Sequence, residues 1–299
     1  MNRKMLTAAT IVIAALAGIG GLLGSQLSAA GQTTVSALAG ETHFHGLAVD
    51  QAQPSRLYLA THHGLYLVTA DGSATQLAET NDDFMGFTPH PTEPAVLYAS
   101  GHPRGGGNLG FLVSKNGGRT WDRISDGAGE RADFHQMDVS RSQPTVIYGV
   151  HGELQRSADG GRSWRRIGRA PDKLIDLAVA AGDPNTLYAA TQAGLVRSED
   201  GGRSWQPMQQ TTAPATMVHV AADGAIYAFV VGLGLLRASE PALEWQLVDS
   251  MAGGGYLLHF AADPTDGRKL YAVSYDPGSR RQSIIASRDG GASWTELGR

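Results

Sequence analysis

The octapeptide SADGGRSW at residues 157–164 recurs as SKNGGRTW (114–121), SEDGGRSW (198–205) and SRDGGASW (287–294). Two worn copies fill the gaps, TADGSATQ (69–76) and ASEPALEW (238–245). All five tryptophans of the chain close such a copy, and successive copies start 45, 43, 41, 40 and 49 residues apart. A period in the forties means stacked supersecondary units, and this constrains the fold more than any other feature.

Each octapeptide follows the same pattern. An apolar run ends at Tyr58, Tyr98, Tyr148, Tyr188, Tyr227 or Tyr271, and a second short run such as Gly-Leu-Tyr-Leu-Val (64–68) comes after it. Asp, Gly and Pro clusters such as Gly-Asp-Pro-Asn (182–185) separate these runs. Short runs punctuated in this way are strands joined by tight turns. Four strands per repeat and six repeats predict an all-β, six-bladed β-propeller with four-stranded antiparallel blades. The blades fall at 42–80, 81–126, 131–169, 172–211, 214–249 and 254–299. The domain reading is therefore a propeller over 42–299, a linker over 31–41 and a separate segment over 1–30.

The octapeptides resemble the Asp-box, or BNR repeat, of sialidases, sortilin-type receptors and photosystem assembly factors. The resemblance implies a turn between the third and fourth strands of each blade. Aspartates such as Asp159, Asp200 and Asp289 would accept backbone N–H bonds there, and the glycines permit positive φ. The tryptophan would pack between blades. These residues carry a turn and no catalysis.

Strand order sorts the polar residues by end. If the strands of a blade are A to D, the octapeptides sit at the C–D turns. Strand-A starts and B–C turns share the opposite end. Seven of the ten histidines fall there, all in blades 1 to 3. His43, His45 and His135 lie at strand-A starts, and His62, His63, His102 and His151 at B–C turns. His90 falls at the wrong end, and His219 and His259 lie one residue out of phase. Aligning the A strands puts Met85 opposite His45 and His135. Imidazoles gathered with a thioether suit a borderline or soft metal. The expectation is a channel-mouth site of His43, His45, His62, Met85, His102 and His135, with His63 and His151 at its edge. Copper is favoured as the transition metal, and zinc is the alternative. A hydrated channel mouth that binds no metal accounts for the same histidines.

The set HFHGLA, THHGL, DFMGF, ASGHP and DFHQM is similar to a bacterial group of exported Asp-box proteins labelled glycosyl hydrolases. Sialidase chemistry would need three arginines, the first in an Arg-Ile-Pro motif that this chain lacks. Arg104, Arg131, Arg280 and Arg281 lie in loops without a matching pattern. A two-carboxylate glycosidase needs less, and Asp83 and Asp133 precede the strand-A phenylalanines of blades 2 and 3. Asp176 is a third candidate. Such carboxylates also commonly orient histidines.

Composition narrows the partners. A net charge of −4 leaves no basic footprint for nucleic acid. With no cysteine, disulfides, thiolate metal sites and cysteine nucleophiles are excluded. Arg3 and Lys4, the apolar run from Met5 to Gly24 and the small residues Ser28, Ala29 and Ala30 read as an export signal or an uncleaved membrane anchor. The expected product is an exported propeller, periplasmic or extracellular, leaning away from enzyme activity. Its expected partners are a metal ion and an exported or membrane protein. The alternatives are a glycoside hydrolase and a metal-free assembly or peptide-binding propeller.

Overall fold

The structure, a computed structural model, describes residues 32–78, 80–208 and 212–298. The segment read as an export signal or anchor lies outside the described residues. Six antiparallel sheets follow one another along the chain, and each takes its four strands from one repeat. They occupy 44–76, 83–125, 136–168, 174–207, 215–249 and 256–296, so the predicted blades stand.

The octapeptides form the C–D turns and clamp neighbouring blades. In blade 3, Asp159 Oδ1 accepts from Ser157 Oγ at 2.8 Å and from Ser163 N–H at 2.9 Å. The Ser157 hydroxyl accepts Gly161 N–H at 2.8 Å. Such bonds favour the ionised carboxyl and hold Asp159 down at about 2, the Ser163 hydroxyl contributing most. The turn presses Gly161 at φ 83° onto the blade before it, where a Cβ would sit 2.0 Å from the Phe111 ring. Trp164 fills the same seam and packs with Phe111 and Phe134.

Strand A of each blade lines the central channel. Five of these strands carry a bulge or register shift, at His45, Gly86–Phe87, Ile175, Thr216 and Leu258. A bulge adds one residue and re-aims a side chain. It also corrects the alignment of blade 5, in which Thr216 and not Val218 stands level with His45. Channel-facing side chains then join successive blades. Val179 N–H donates to Asp138 at 2.7 Å, Val218 N–H to Asp176 at 3.0 Å, and the His259 ring bonds Phe44 O at 3.1 Å.

The residues read as a linker do more than connect. Strand β1 (Gln32–Thr34) adds a fifth, outer strand to blade 1 by pairing with 73–75. Helix α1 (Val35–Glu41) then leans on blade 6. Thr34 caps it by accepting Ala37 N–H at 3.2 Å. Val35 and Leu38 are buried in one cluster with Val273 and Ile284, and Arg281 donates to Ser36 O at 3.2 Å. The N-terminal segment thus clasps the first blade to the last.

Gly161→Ala should destabilise the protein by at least about 3 kcal/mol, because overpacking and a left-handed non-glycine backbone add at one position. Gly182, with open space around its Cα and ordinary φ, should tolerate alanine within about 0.5 kcal/mol. Urea unfolding of both variants checks the contrast.

Candidate active site

Two aspartates organise the end of the molecule opposite the octapeptides. Asp83 begins strand A of blade 2, and Asp133 stands just before strand A of blade 3. His62, which follows strand B of blade 1, bonds Asp83 Oδ2 through Nδ1. His102, which ends strand B of blade 2, meets Asp133 Oδ2 at 2.8 Å through Nε2. The same relation therefore occurs twice, with an imidazole from one blade crossing the seam to the aspartate of the next. A second imidazole accompanies each aspartate. His45 Nε2 lies 3.7 Å from Asp83 Oδ1, and His135 Nε2 lies 2.5 Å from Asp133 Oδ2. In blade 4 Lys173 stands where an aspartate would be needed, so the series stops. His151 turns back instead, its Nδ1 lying 3.0 Å from the Asp133 carbonyl.

The aspartates are sheltered while parts of their imidazoles face solvent. Side-chain exposure is 15% for Asp83 and 4% for Asp133, against 40% for His102 and 60% for His135. Each aspartate keeps one oxygen, Oδ1, buried and without a hydrogen-bond partner among the described residues, as is His45 Nε2. Two of these atoms, His45 Nε2 and Asp83 Oδ1, face each other at 3.7 Å.

The imidazoles are held in different states. The hydrogen bond to Asp133 is the main cause that raises the His135 pKa above 6.5, against its partial burial. Desolvation lowers His43 and lowers His45 further, and the neighbouring His62 reinforces both shifts. Asp83 also acts on His135, and His135 on His45, so the two groups form one electrostatic unit.

The predicted histidine set is thus divided. One group holds His45, His62 and Asp83, with the His43 ring 5.6 Å from that of His62. The other holds His102, Asp133 and His135. Within each group the ligand-type atoms lie within 4.8 Å of one another, close enough to share a cation. Met85 faces Ser100 across the sheet, two residues beyond Asp83. His63 is exposed, and its amide is fixed by Thr61 Oγ1. His90 binds the amides of Thr92 and Glu93 in its own turn, as its predicted end implies. Below the mouth Asp138, Asp176, His219 and His259 share the channel lining with His45; the sequence offered Asp176 as a third carboxyl and His219 and His259 as out of phase, and did not single out Asp138.

No family model matches the chain. An oligoxyloglucan-reducing end-specific xyloglucanase of Emericella nidulans is 23% identical over 286 residues, 84% of this chain and 34% of that protein. A probable oligoxyloglucan-reducing end-specific xyloglucanase of Neosartorya fischeri is 27% identical over 292 residues, 84% of this chain and 33% of that protein. The solved GH74 xyloglucanase from Xanthomonas campestris shares the fold with a TM-score of 0.60 at 21% identity. That match covers 89% of this chain and 46% of that one. The chain therefore spans about a third of the length of the curated relatives it matches.

These relatives overturn the expectation of a non-catalytic propeller serving as a transition-metal or scaffold protein. Both curated matches are named as xyloglucanases, and sequence reasoning had held the hydrolase only as the alternative. The histidines misled because imidazoles that orient carboxyls gather in the same places as imidazoles that bind metals.

Two buried channel groups set opposite pH dependences. Burial lowers His259 to about 4 from 6.5, so between those values the unfolded chain binds a proton that the native state refuses. Stability from this group therefore rises with pH, by up to about 1.4 kcal/mol per unit. Burial raises Asp176 to about 7 from 3.8, so its contribution falls as pH rises across that window. Denaturation at pH 4.5, 5.5 and 6.5 should show a flatter rise in stability for His259→Gln and a steeper one for Asp176→Asn.

Proposed function

We propose that the histidine-rich face hydrolyses a glycosidic bond, with Asp83 and Asp133 as its two carboxyl groups. The observation that carries this reading is the repeated geometry of Asp83 and Asp133, which stand at equivalent places on adjacent blades with two imidazoles beside each. Glycoside hydrolysis needs two such groups, one giving a proton to the departing oxygen and one acting at the anomeric carbon or on water. Kinship to proteins named as xyloglucanases supports the reaction and points to xyloglucan oligosaccharides as the substrate class.

The electrostatics divide the roles. The hydrogen bond to Asp133 raises the His135 pKa and favours a proton there, so this pair is assigned as the donor; the proton passes to the glycosidic oxygen as the C1–O bond breaks. Asp83 stands among His43 and His45, which burial keeps neutral, and acts as the acceptor. It takes the proton of the water whose oxygen becomes the new C1 hydroxyl. His62 and His102 fix the two carboxyl groups across the blade seams and so act as positioning residues.

On the same reading the octapeptide turns are Asp-boxes and serve as scaffold. Residues 1–30 direct export or anchor the chain, which places the propeller where polysaccharide is met.

Release of reducing ends from xyloglucan oligosaccharides tests the reaction. The wild-type protein should turn over, and Asp83→Asn and Asp133→Asn should each lower kcat by about 10²–10⁴-fold with an unchanged circular dichroism spectrum. Absence of turnover on xyloglucan oligosaccharides and on aryl β-glucosides, or full activity in both variants, would reject the proposal.

A further inference from the structure

The six turns do not close equally. In blades 2, 3, 4 and 6 the second glycine of the octapeptide is buried against the blade before it. A Cβ there would fall 2.4 Å from Leu65 at Gly118, 2.0 Å from Phe111 at Gly161, 2.1 Å from Leu154 at Gly202 and 2.9 Å from Val248 at Gly291. Blade 5 carries Ala242 at this place. Its methyl group forbids the same approach, and Ala242 is exposed. The next residue, Leu243, takes φ 54°, a conformation uncommon for leucine.

A groove of about 500 Å³ lies along the seam between blades 4 and 5. Its walls include Arg197, Glu199, Gln206, Met208, Leu243 and Trp245. Trp121, Trp164 and Trp294 each donate their indole N–H to a glycine carbonyl within the turn, at 3.0–3.1 Å. Trp245 has no such glycine, and its Nε1–H is buried without an acceptor among the described residues. Arg197 Nε, in the same groove, is also unpaired, although Arg197 Nη1 pairs with Glu199 at 2.6 Å. Trp205 Nε1 is unpaired too; Trp205 packs on the core between blades 3 and 4 as Trp245, Met208 and Leu243 pack on that between blades 4 and 5.

We infer that this groove is a second carbohydrate site that takes a neutral pyranose unit of an oligosaccharide. The chemistry matches on each side. The Trp245 ring beside Met208 and Leu243 offers an apolar wall for the C–H face of a sugar ring. The two unpaired donors call for acceptor oxygens, and the Glu199 carboxyl can accept from a hydroxyl. The groove lies at the octapeptide end, across the molecule from Asp83 and Asp133. It therefore holds a chain without cleaving it, and its existence does not require the hydrolytic reading to be correct.

The indole N–H resonances provide the test, because each tryptophan gives its own signal and Trp245→Phe assigns the one of interest. Titration of the wild-type protein with cellotetraose, to about 10 mM, should shift the Trp245 signal saturably and leave Trp164 and Trp294 in place; a site worth only a few kcal/mol saturates in that range. Arg197→Lys, which keeps the charge but removes Nε–H, should weaken binding at least about fivefold. Asp83→Asn should bind as the wild type does, which separates this inference from the catalytic one. The inference is overturned if cellotetraose and maltotetraose both leave the Trp245 signal unmoved. It is equally overturned if tetraglycine shifts that signal as strongly, since the groove would then be a peptide site.

Discussion

The close approach of the second octapeptide glycine to the blade before it, in blades 2, 3, 4 and 6, is the constraint on which the rest of this structure depends. At Gly161 there is no space for even one methyl group, since Phe111 already occupies it. A seam that tight holds neighbouring blades in fixed register, and close packing transmits any error along the ring. Five of the six seams are set within the repeats or by channel-facing bonds between adjacent A strands. The last has the His259–Phe44 bond and is closed from outside as well, where Val35 and Leu38 of α1 join the cores of blades 1 and 6.

Fixed seams are what make the candidate site possible. His62 and His102 each reach an aspartate belonging to the following blade, so neither pair exists within a single repeat. Each blade supplies half of a hydrogen-bonded pair, and the ring supplies the alignment. The cost of burying an unpaired carboxyl oxygen at Asp83 and at Asp133 is then borne by seams that do not open. Hydrogen bonding to Asp133 raises the His135 pKa, whereas desolvation lowers that of His45. On the proposed reading these opposite shifts divide the mouth into a donor and an acceptor, as acid–base hydrolysis of a glycoside requires.

Much of this was legible in the sequence because turns are chemically demanding. The glycines, the aspartates and the closing tryptophan of SADGGRSW admit few conformations, so blade number and boundaries followed from them. The histidine-rich end was legible for the same reason, as strand order alone sorts His45, His62, His102 and His135 to one face. What each imidazole touches was not legible, because the partners of His62 and His102 lie across a seam. Metal and carboxyl orientation therefore looked alike. Blade 5 was read two residues out of register because its turn is worn and its bulge falls at Thr216. The clasp escaped notice since VSALAGE is too short to show a helical period, and its helix depends on the Thr34 cap and on docking to blade 6.

The central claim is that Asp83 and Asp133 face one glycosidic bond at the mouth formed by blades 1 to 3. The most direct measurement is a crystal structure of the Asp83→Asn/Asp133→Asn double variant with a xyloglucan oligosaccharide bound. The account predicts a glycosidic oxygen seated between residues 83 and 133, within hydrogen-bond reach of residue 133 or His135. An oligosaccharide bound elsewhere on the propeller, with this mouth left empty at saturating ligand, would contradict it.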